Sequence, residues 1–258
     1  MRPLPRTFGR LLVAAGLAAT GLVATGITQA AVVFSDTSMN TALFSATPAY
    51  TSPGVTLSTI TTAGGQLQTS AGPLSGQTGY AFMAGYLYGG FSWDPGSAGA
   101  ITSIDFSVAR GAAITVNGVD QPGITLTGRA LIEQGGQYFM SVSAPVAPVA
   151  LPALTTIDAL GLTQASFGLV DWATGAIDTT VNPDFGGGLM HFGFAARLFI
   201  SGNGAADLVS MSALSDDFSL TLNTAAVPEP GSLALVALAL LGGAVAGRRA
   251  RMAAPFRP

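Results

Sequence analysis

The chain has 258 residues with neither cysteine nor lysine, which excludes disulfides, thiolate catalysis, Cys-ligated zinc, iron–sulfur clusters, Schiff-base chemistry and a P-loop lysine. Seven of its ten arginines (Arg2, Arg6, Arg10, Arg248, Arg249, Arg251 and Arg257) lie in the terminal segments, and both ends carry long apolar runs that inflate the hydrophobic fraction to 49%. The body from Ala31 to Ala226 keeps only Arg110, Arg129 and Arg197 against twelve acids, so it stands at −9 where the whole chain stands at −3, and it lacks the basic patch that nucleic-acid binding requires.

Met1 to Ala30 reads as a secretory signal peptide. The basic start MRPLPRTFGR is followed by an uncharged apolar run from Leu11 to Ile27. Thr28-Gln29-Ala30 then supplies small residues at the positions a signal peptidase requires before Ala31. Export of this kind implies the Sec translocon and signal peptidase as partners. The remaining body is about 196 residues, enough for one large domain or two small ones.

The body is rich in Thr, Ser and Gly and alternates apolar with polar residues. Ile104-Asp105-Phe106-Ser107-Val108 has period 2, the mark of a strand with one buried and one wet face. Ile114-Thr115-Val116 runs into Asn117-Gly118, a type I′ hairpin signal. Arg129 to Gln134, Gly135-Gly136 and Gln137 to Ser143 form a second hairpin pattern. Ala144 to Pro152 holds three prolines in nine residues and reads as an extended crossing loop within one domain, although it could also divide the body in two. Thr155 to Leu162 is the one stretch that suggests a short helix. Met190, Phe192, Phe194, Ala196, Leu198 and Ile200 alternate, and Phe218 to Leu222 gives a closing strand. The expected fold is all-β: an antiparallel β-sandwich, jelly-roll-like, over residues 31–226.

Catalytic chemistry finds little purchase in this body. His191 is the single histidine and sits between Met190 and Phe192, so it faces away from the phenylalanines. No G-x-S-x-G elbow accompanies it. Glu133 is the body's one glutamate, and a glycosidase would need a second carboxylate facing it. Asp216-Asp217 and Asn182-Pro183-Asp184 are oxygen-rich, as calcium loops are, but no D-x-D-x-D-G pattern is present and turn formation is the preferred reading. The expectation is a non-enzyme without cofactor or metal. The aromatic crowd Tyr80, Phe82, Tyr86, Tyr88, Phe91 and Trp93 is either core or a surface for stacking on sugar rings. Tyr86, Tyr88, Trp93 and, separately, Trp172 beside Asp171 are the candidates for carbohydrate stacking, with core as the preferred reading for the crowd.

The C-terminus has three parts. Val227-Pro228-Glu229-Pro230-Gly231-Ser232 comes first, and its prolines forbid helix and fix an extended strip. Gly231 to Gly247 is uncharged, and seventeen residues at ~1.5 Å each make one transmembrane helix of about 26 Å. Arg248, Arg249 and Arg251 form a basic cluster that stays cytoplasmic, leaving the body outside.

That order over Val227 to Arg251 resembles the PEP-CTERM sorting domain. The resemblance implies that a membrane-embedded exosortase recognises Val227, Pro228, Glu229, Pro230 and Gly231 and cuts near them. It implies an envelope protein that passes through the inner membrane to the cell surface or matrix, in a Gram-negative bacterium that makes exopolysaccharide and biofilm. A structural surface or matrix role follows as the expected function, with a carbohydrate-binding module that recognises exopolysaccharide as the alternative. The stretches LIEQGGQYFMSVS and LSDDFSLTL also resemble pieces of PEP-CTERM ectodomains and of jelly-roll carbohydrate-binding modules, a likeness of texture that suggests a fold and transfers no binding site.

Overall fold

The computed structural model describes residues 30–122, 125–143, 146–148 and 153–225. The signal-peptide segment before Ala30 and the whole sorting tail lie outside the described residues, as does most of the proline-rich stretch 144–152. Among the described residues no helix is long and apolar enough to cross a membrane.

The strands are β1 (Ala30–Asp36), β2 (Phe44–Ala46), β3 (Tyr50–Thr51), β4 (Leu57–Thr61), β5 (Leu67–Leu74), β6 (Gly79–Trp93), β7 (Ile101–Val116), β8 (Val119–Asp120), β9 (Thr125–Gln134), β10 (Gln137–Ser141), β11 (Val146–Pro148), β12 (Thr155–Leu162), β13 (Phe167–Asp171), β14 (Ala176–Asp178), β15 (Met190–Ser201) and β16 (Val209–Thr224). Among the described residues helix is confined to one turn, α1 (Pro95–Ala98), and a 3₁₀ turn at Gln164–Ser166. Two antiparallel sheets result. A seven-stranded sheet runs β12-β7-β16-β5-β4 with β1 also on β16 and β8 on β7. A nine-stranded sheet runs β14-β13-β10-β9-β15-β6-β2 with β11 on β9 and β3 on β6. The fold is therefore an antiparallel β-sandwich.

The turns do what their residues allow. Asn117 and Gly118 both have positive φ, 53° and 79°, as the type I′ hairpin between β7 and β8 demands. Gly135 and Gly136, at 61° and 80°, close the β9–β10 hairpin.

Two strands carry the architecture. β7 and β16 pair over nearly their whole length, from Val209 opposite Val116 to Thr224 opposite Ile101. On its other edge β16 changes partner midway. Val209 to Ser215 pairs with β5, and Phe218 to Thr224 pairs with β1. The change falls at Asp216-Asp217, where the ladder bulges and Asp217 takes φ 48°. The oxygen-rich pair is thus a bulge, with Asp216 Oδ1 accepting from the Asp217 N–H at 2.9 Å.

Thr155 to Leu162 corrects the helical expectation. It is β12, paired with β7 from Thr155 opposite Arg110 to Leu162 opposite Ile104. Ile157, Ala159 and Leu162 are buried while Thr156, Asp158 and Leu160 are exposed, so period 2 decides the segment once β7 offers it an edge.

The inter-sheet core joins both inner faces. Ile104, Phe106 and Val108 of β7 and Phe218, Leu220 and Leu222 of β16 meet Phe82, Phe192, Phe194 and Leu198 of the nine-stranded sheet, all at most 2% exposed. A second apolar cluster lies apart from it. Met83, Leu131, Met140, Val170 and Ala195 are the alternate residues of β6, β9, β10, β13 and β15, so they face the outer side of the nine-stranded sheet. Tyr50, Leu87, Tyr138, Trp172 and Ile177 pack on them.

Candidate functional site

The sorting residues Val227, Pro228, Glu229, Pro230 and Gly231 and the cluster Arg248, Arg249 and Arg251 lie outside the described residues. What the fold fixes is where the chain departs toward them. β16 ends at Thr224, and Ala225 N–H still donates to Ala100 C=O at 2.8 Å. Opposite Thr224, on β1, stands Ala30. The predicted signal-peptidase bond before Ala31 and the predicted sorting motif therefore flank one end of the sandwich.

That end is a set of loops tied to one another. Ile101 N–H donates to Phe185 C=O at 2.9 Å, and Trp93 Nε1 donates to Gly99 C=O at 2.9 Å. Gln134 Nε2 donates to the carbonyls of Asp184 and Gly188, at 2.9 and 3.1 Å, while Asp184 N–H donates back to Gln134 Oε1 at 2.8 Å. Asp94 Oδ1 accepts from Gly96 N–H and so starts α1, with Pro95 in its first turn.

A surface depression of about 520 Å³ opens beside these loops, lined by Glu133, Gln134, Asp184, Leu189 and His191 among others. His191 and Glu133 are register partners, and Nε2 stands 3.9 Å from Oε2. The histidine side chain is 40% exposed, which matches the face expected from its place between Met190 and Phe192. Glu133 Oε1 accepts from Gly136 N–H at 2.6 Å, so part of this carboxylate holds the hairpin turn. Among the described residues no group of three or more His, Asp or Glu is gathered to hold a metal ion. Two further depressions, of about 420 and 500 Å³, lie at the opposite end around Gln121, Phe199 and Asn203 and around Gln77 and Ala205.

The aromatic candidates are dispersed. Tyr86 is 3% exposed, and its hydroxyl lies between Thr59 Oγ1 at 2.8 Å and Thr69 Oγ1 at 2.5 Å. It is a core residue and cannot stack on a sugar. Tyr88 is half-buried against Phe44 and Phe218, and Trp93 is half-buried with its indole committed to Gly99. The pairing register explains this, because Tyr86 and Tyr88 sit on the face of β6 that turns inward with Phe82. Trp172 is elsewhere. It crosses Tyr138 edge-on at 5.8 Å on the outer cluster, and its buried Nε1 has no hydrogen-bond partner.

The sequence reading passed over Arg110. It is 1% exposed in the sandwich interior, with no carboxylate among its hydrogen-bond partners. Nη2 donates to Ala195 C=O at 2.7 Å, Nη1 donates to Ser215 Oγ, and the guanidinium lies 4.8 Å from the Phe194 ring centre. Burial pushes its pKa down to about 9, with Tyr86 partly opposing, so the group stays charged at neutral pH. The signal was present in the pattern: Arg110 continues the inward phase of Ile104, Phe106 and Val108. Arg129 has a comparable structural duty. It sits between the β10 and β11 pairings of β9 and donates to the carbonyls of Ser141 and Val142, the latter at 2.8 Å. Burial first and Arg197 second lower its pKa.

Residues 226–250 match the family model of the PEP-CTERM protein-sorting motif. The chain carries a PEP-CTERM sorting motif. It is thus an exported cell-envelope protein targeted to exosortase. No curated protein matches the chain. Among solved structures, it is similar to the CBM22-1 xylan-binding domain of Paenibacillus barcinonensis Xyn10C, at 13% identity over 77% of this chain and 99% of that one, with a TM-score of 0.32. It is also similar to a chain of the infectious bursal disease virus Gx strain, at 8% identity over 77% of this chain and 37% of that one, with a TM-score of 0.23. The two antiparallel sheets and the core they share define the sandwich.

Proposed function

We propose that this PEP-CTERM protein is a non-enzymatic component of the cell surface or extracellular matrix, associated with exopolysaccharide. In this reading signal peptidase frees Ala31 after Sec export. The tail helix holds the protein briefly in the inner membrane, and exosortase then cuts near Pro228-Glu229-Pro230. The carrying observation is the match of residues 226–250 to the sorting motif, directly after the last strand. The non-catalytic role is supported by how the carboxylates are used. Asp36, Asp94, Asp171, Asp178, Asp184 and Asp207 each accept backbone N–H groups of their own turns.

The test replaces Pro228-Glu229-Pro230 by three alanines, which leaves the hydrophobic length and the arginines untouched. The expected result, read by intact mass, is full-length protein in the inner membrane with its C-terminal arginines attached. Surface protein trimmed like wild type would overturn the sorting role of these residues. A second reading, carbohydrate binding, is supported by the half-buried Trp172 ring set edge-on to Tyr138 on the outer side of the nine-stranded sheet. Its test is a glycan array with wild type and Trp172→Ala; binding that the substitution abolishes supports it, and no binding by wild type removes it.

A further inference from the structure

We propose that the end of the sandwich from which the motif departs is a contact surface for exosortase, so that the folded domain is itself part of what the enzyme meets. The inference rests on the sorting reading above and adds a surface to it.

The first argument is reach. The chain is tied to the fold through Ala225, whose N–H is held by Ala100. Only Ala226 and Val227 separate it from Pro228. At no more than ~3.6 Å per residue, the Pro228 Cα lies within about 11 Å of the Ala225 Cα. A protease cleft that accommodates a few residues before its motif therefore reaches residues that belong to the sheet, with Thr224 paired to Ile101 and Asn223 paired to Ala31. The predicted membrane helix starts as soon as the motif ends, so the approach is constrained from the other side too.

The second argument is form. Loop 182–189 is bound to β7 through Ile101 and to the end of β9 through Gln134 and Asp184, loop 94–100 is held by the Trp93 indole and by Ala225, and turn 135–136 is held by Glu133. They offer an approaching protein a fixed shape, with little ordering cost on contact.

The third argument is charge. Asp94, Glu133 and Asp184 belong to this end, whereas the described arginines do not. Arg110 is buried mid-strand, and Arg129 and Arg197 lie in register with Ala195 and Thr127, away from it. An acidic end is repelled by anionic lipid headgroups and complements a basic, hydrogen-bond-donating protein surface.

The experiment follows loss of the C-terminal arginines by intact mass, with the full-length chain co-expressed with its exosortase. One variant carries a flexible Gly/Ser spacer of about twelve residues between Ala226 and Val227, which dilutes any contact made by the tethered domain. Processing slowed roughly tenfold supports the contact. Processing that is unchanged or faster overturns it, the domain then being a bystander or an obstacle. A second variant, Asp94→Asn with Glu133→Gln and Asp184→Asn, removes charge but retains the acceptor atoms that hold the turns. It is also expected to slow processing, and a wild-type rate would overturn the basic character assigned to the partner. Retention of the processed, tail-free protein on phosphatidylglycerol vesicles without enzyme would move the contact to lipid and overturn the assignment. Unchanged melting of both variants shows that the fold is intact. The triple-alanine motif variant separates the two levels: if it is trimmed normally, the sorting reading fails, and if it is blocked while the spacer variant is trimmed at the wild-type rate, only the contact surface fails.

Discussion

The two faces of the nine-stranded sheet are built from the same strands and solve different problems. The inner face is aromatic and closed: Phe82, Phe192 and Phe194 are at most 2% exposed and pack against the other sheet. Among the described residues no sheet covers the outer face. Its small cluster of Met83, Leu131, Met140 and Ala195 is roofed by side chains delivered from short elements, Trp172 and Ile177 from the β13–β14 region and Tyr50 from β3. Close approach makes the roof possible: a Cβ added at Gly85 would meet the Trp172 ring at 3.2 Å. A sandwich wall can therefore be apolar on both sides, with one side sealed by a sheet and the other by a turn.

The largest expected difference between the faces comes from truncating one ring on each. Phe194 touches the rings of Phe44, Tyr86 and Phe218 and lies against the Arg110 guanidinium. Phe194→Ala is expected to cost about 3–5 kcal/mol, because the two sheets cannot close on the gap. Urea melts of the secreted protein measure it. A cost near 1 kcal/mol would mean that the inner face is loosely packed and the contrast is false.

Trp172→Ala is expected to cost less, about 1–2 kcal/mol, since Trp172 is half-buried and its indole N–H has no partner to lose. Equal losses at Phe194 and Trp172 would break the comparison outright.

These two rings also show what could be read from the chain beforehand. Phe194 was legible because alternation from Met190 to Ile200 states which residues share a face, and β-pairing then preserves it. The hairpins at Asn117-Gly118 and Gly135-Gly136 were legible because few residues tolerate positive φ. Trp172 was not placed by any pattern. Its position depends on a turn folding back over β6, a contact between residues 85 and 172 that no local periodicity encodes. Tyr86 reads as core, with a sugar platform as the alternative, because period 2 pairs it with Phe82 and Tyr88 but does not say which side is wet. Thr155–Leu162 misled because it is short, and β7 supplied the edge that fixed it as a strand.

Tyr86 offers a finer probe of the inner face. Its hydroxyl is the one polar handle that β6 sends to the threonines of β4 and β5, Thr59 and Thr69. Tyr86→Phe keeps the ring and removes the bridge, so the expected loss is about 1 kcal/mol, against several for Phe194→Ala. An unchanged melting midpoint would show that the hydroxyl contributes specificity of packing and no net stability.

The smallest effect is expected on the outer side, in the turns that deliver the roof. Asp171 and Asp178 stand at the ends of the β13–β14 pair and are fully exposed. Hydrogen bonds from the Thr174 hydroxyl and from the Ala173 and Thr174 backbone hold the Asp171 carboxyl below the usual carboxylate range. The Thr180 hydroxyl and backbone N–H do the same for Asp178. A carboxyl depressed in the folded state binds its proton less readily there than in the unfolded chain. Its contribution is therefore complete above the unfolded pKa of roughly 4 and is lost as pH falls through the lower, folded value. Solvent screens both groups, so the acid arm of the stability curve should bend only slightly below about pH 4. Asp171→Asn retains an acceptor for Ala173 N–H but cannot titrate, and is expected to flatten that bend while leaving the melting midpoint at neutral pH within a few degrees. Tryptophan fluorescence is the suitable readout, because Trp172 is the neighbouring residue and reports when the turn lifts from the sheet. If acid shifts its emission at the same pH in wild type and Asp171→Asn, the carboxyl does not hold the roof, and the outer cluster stands on apolar contact alone.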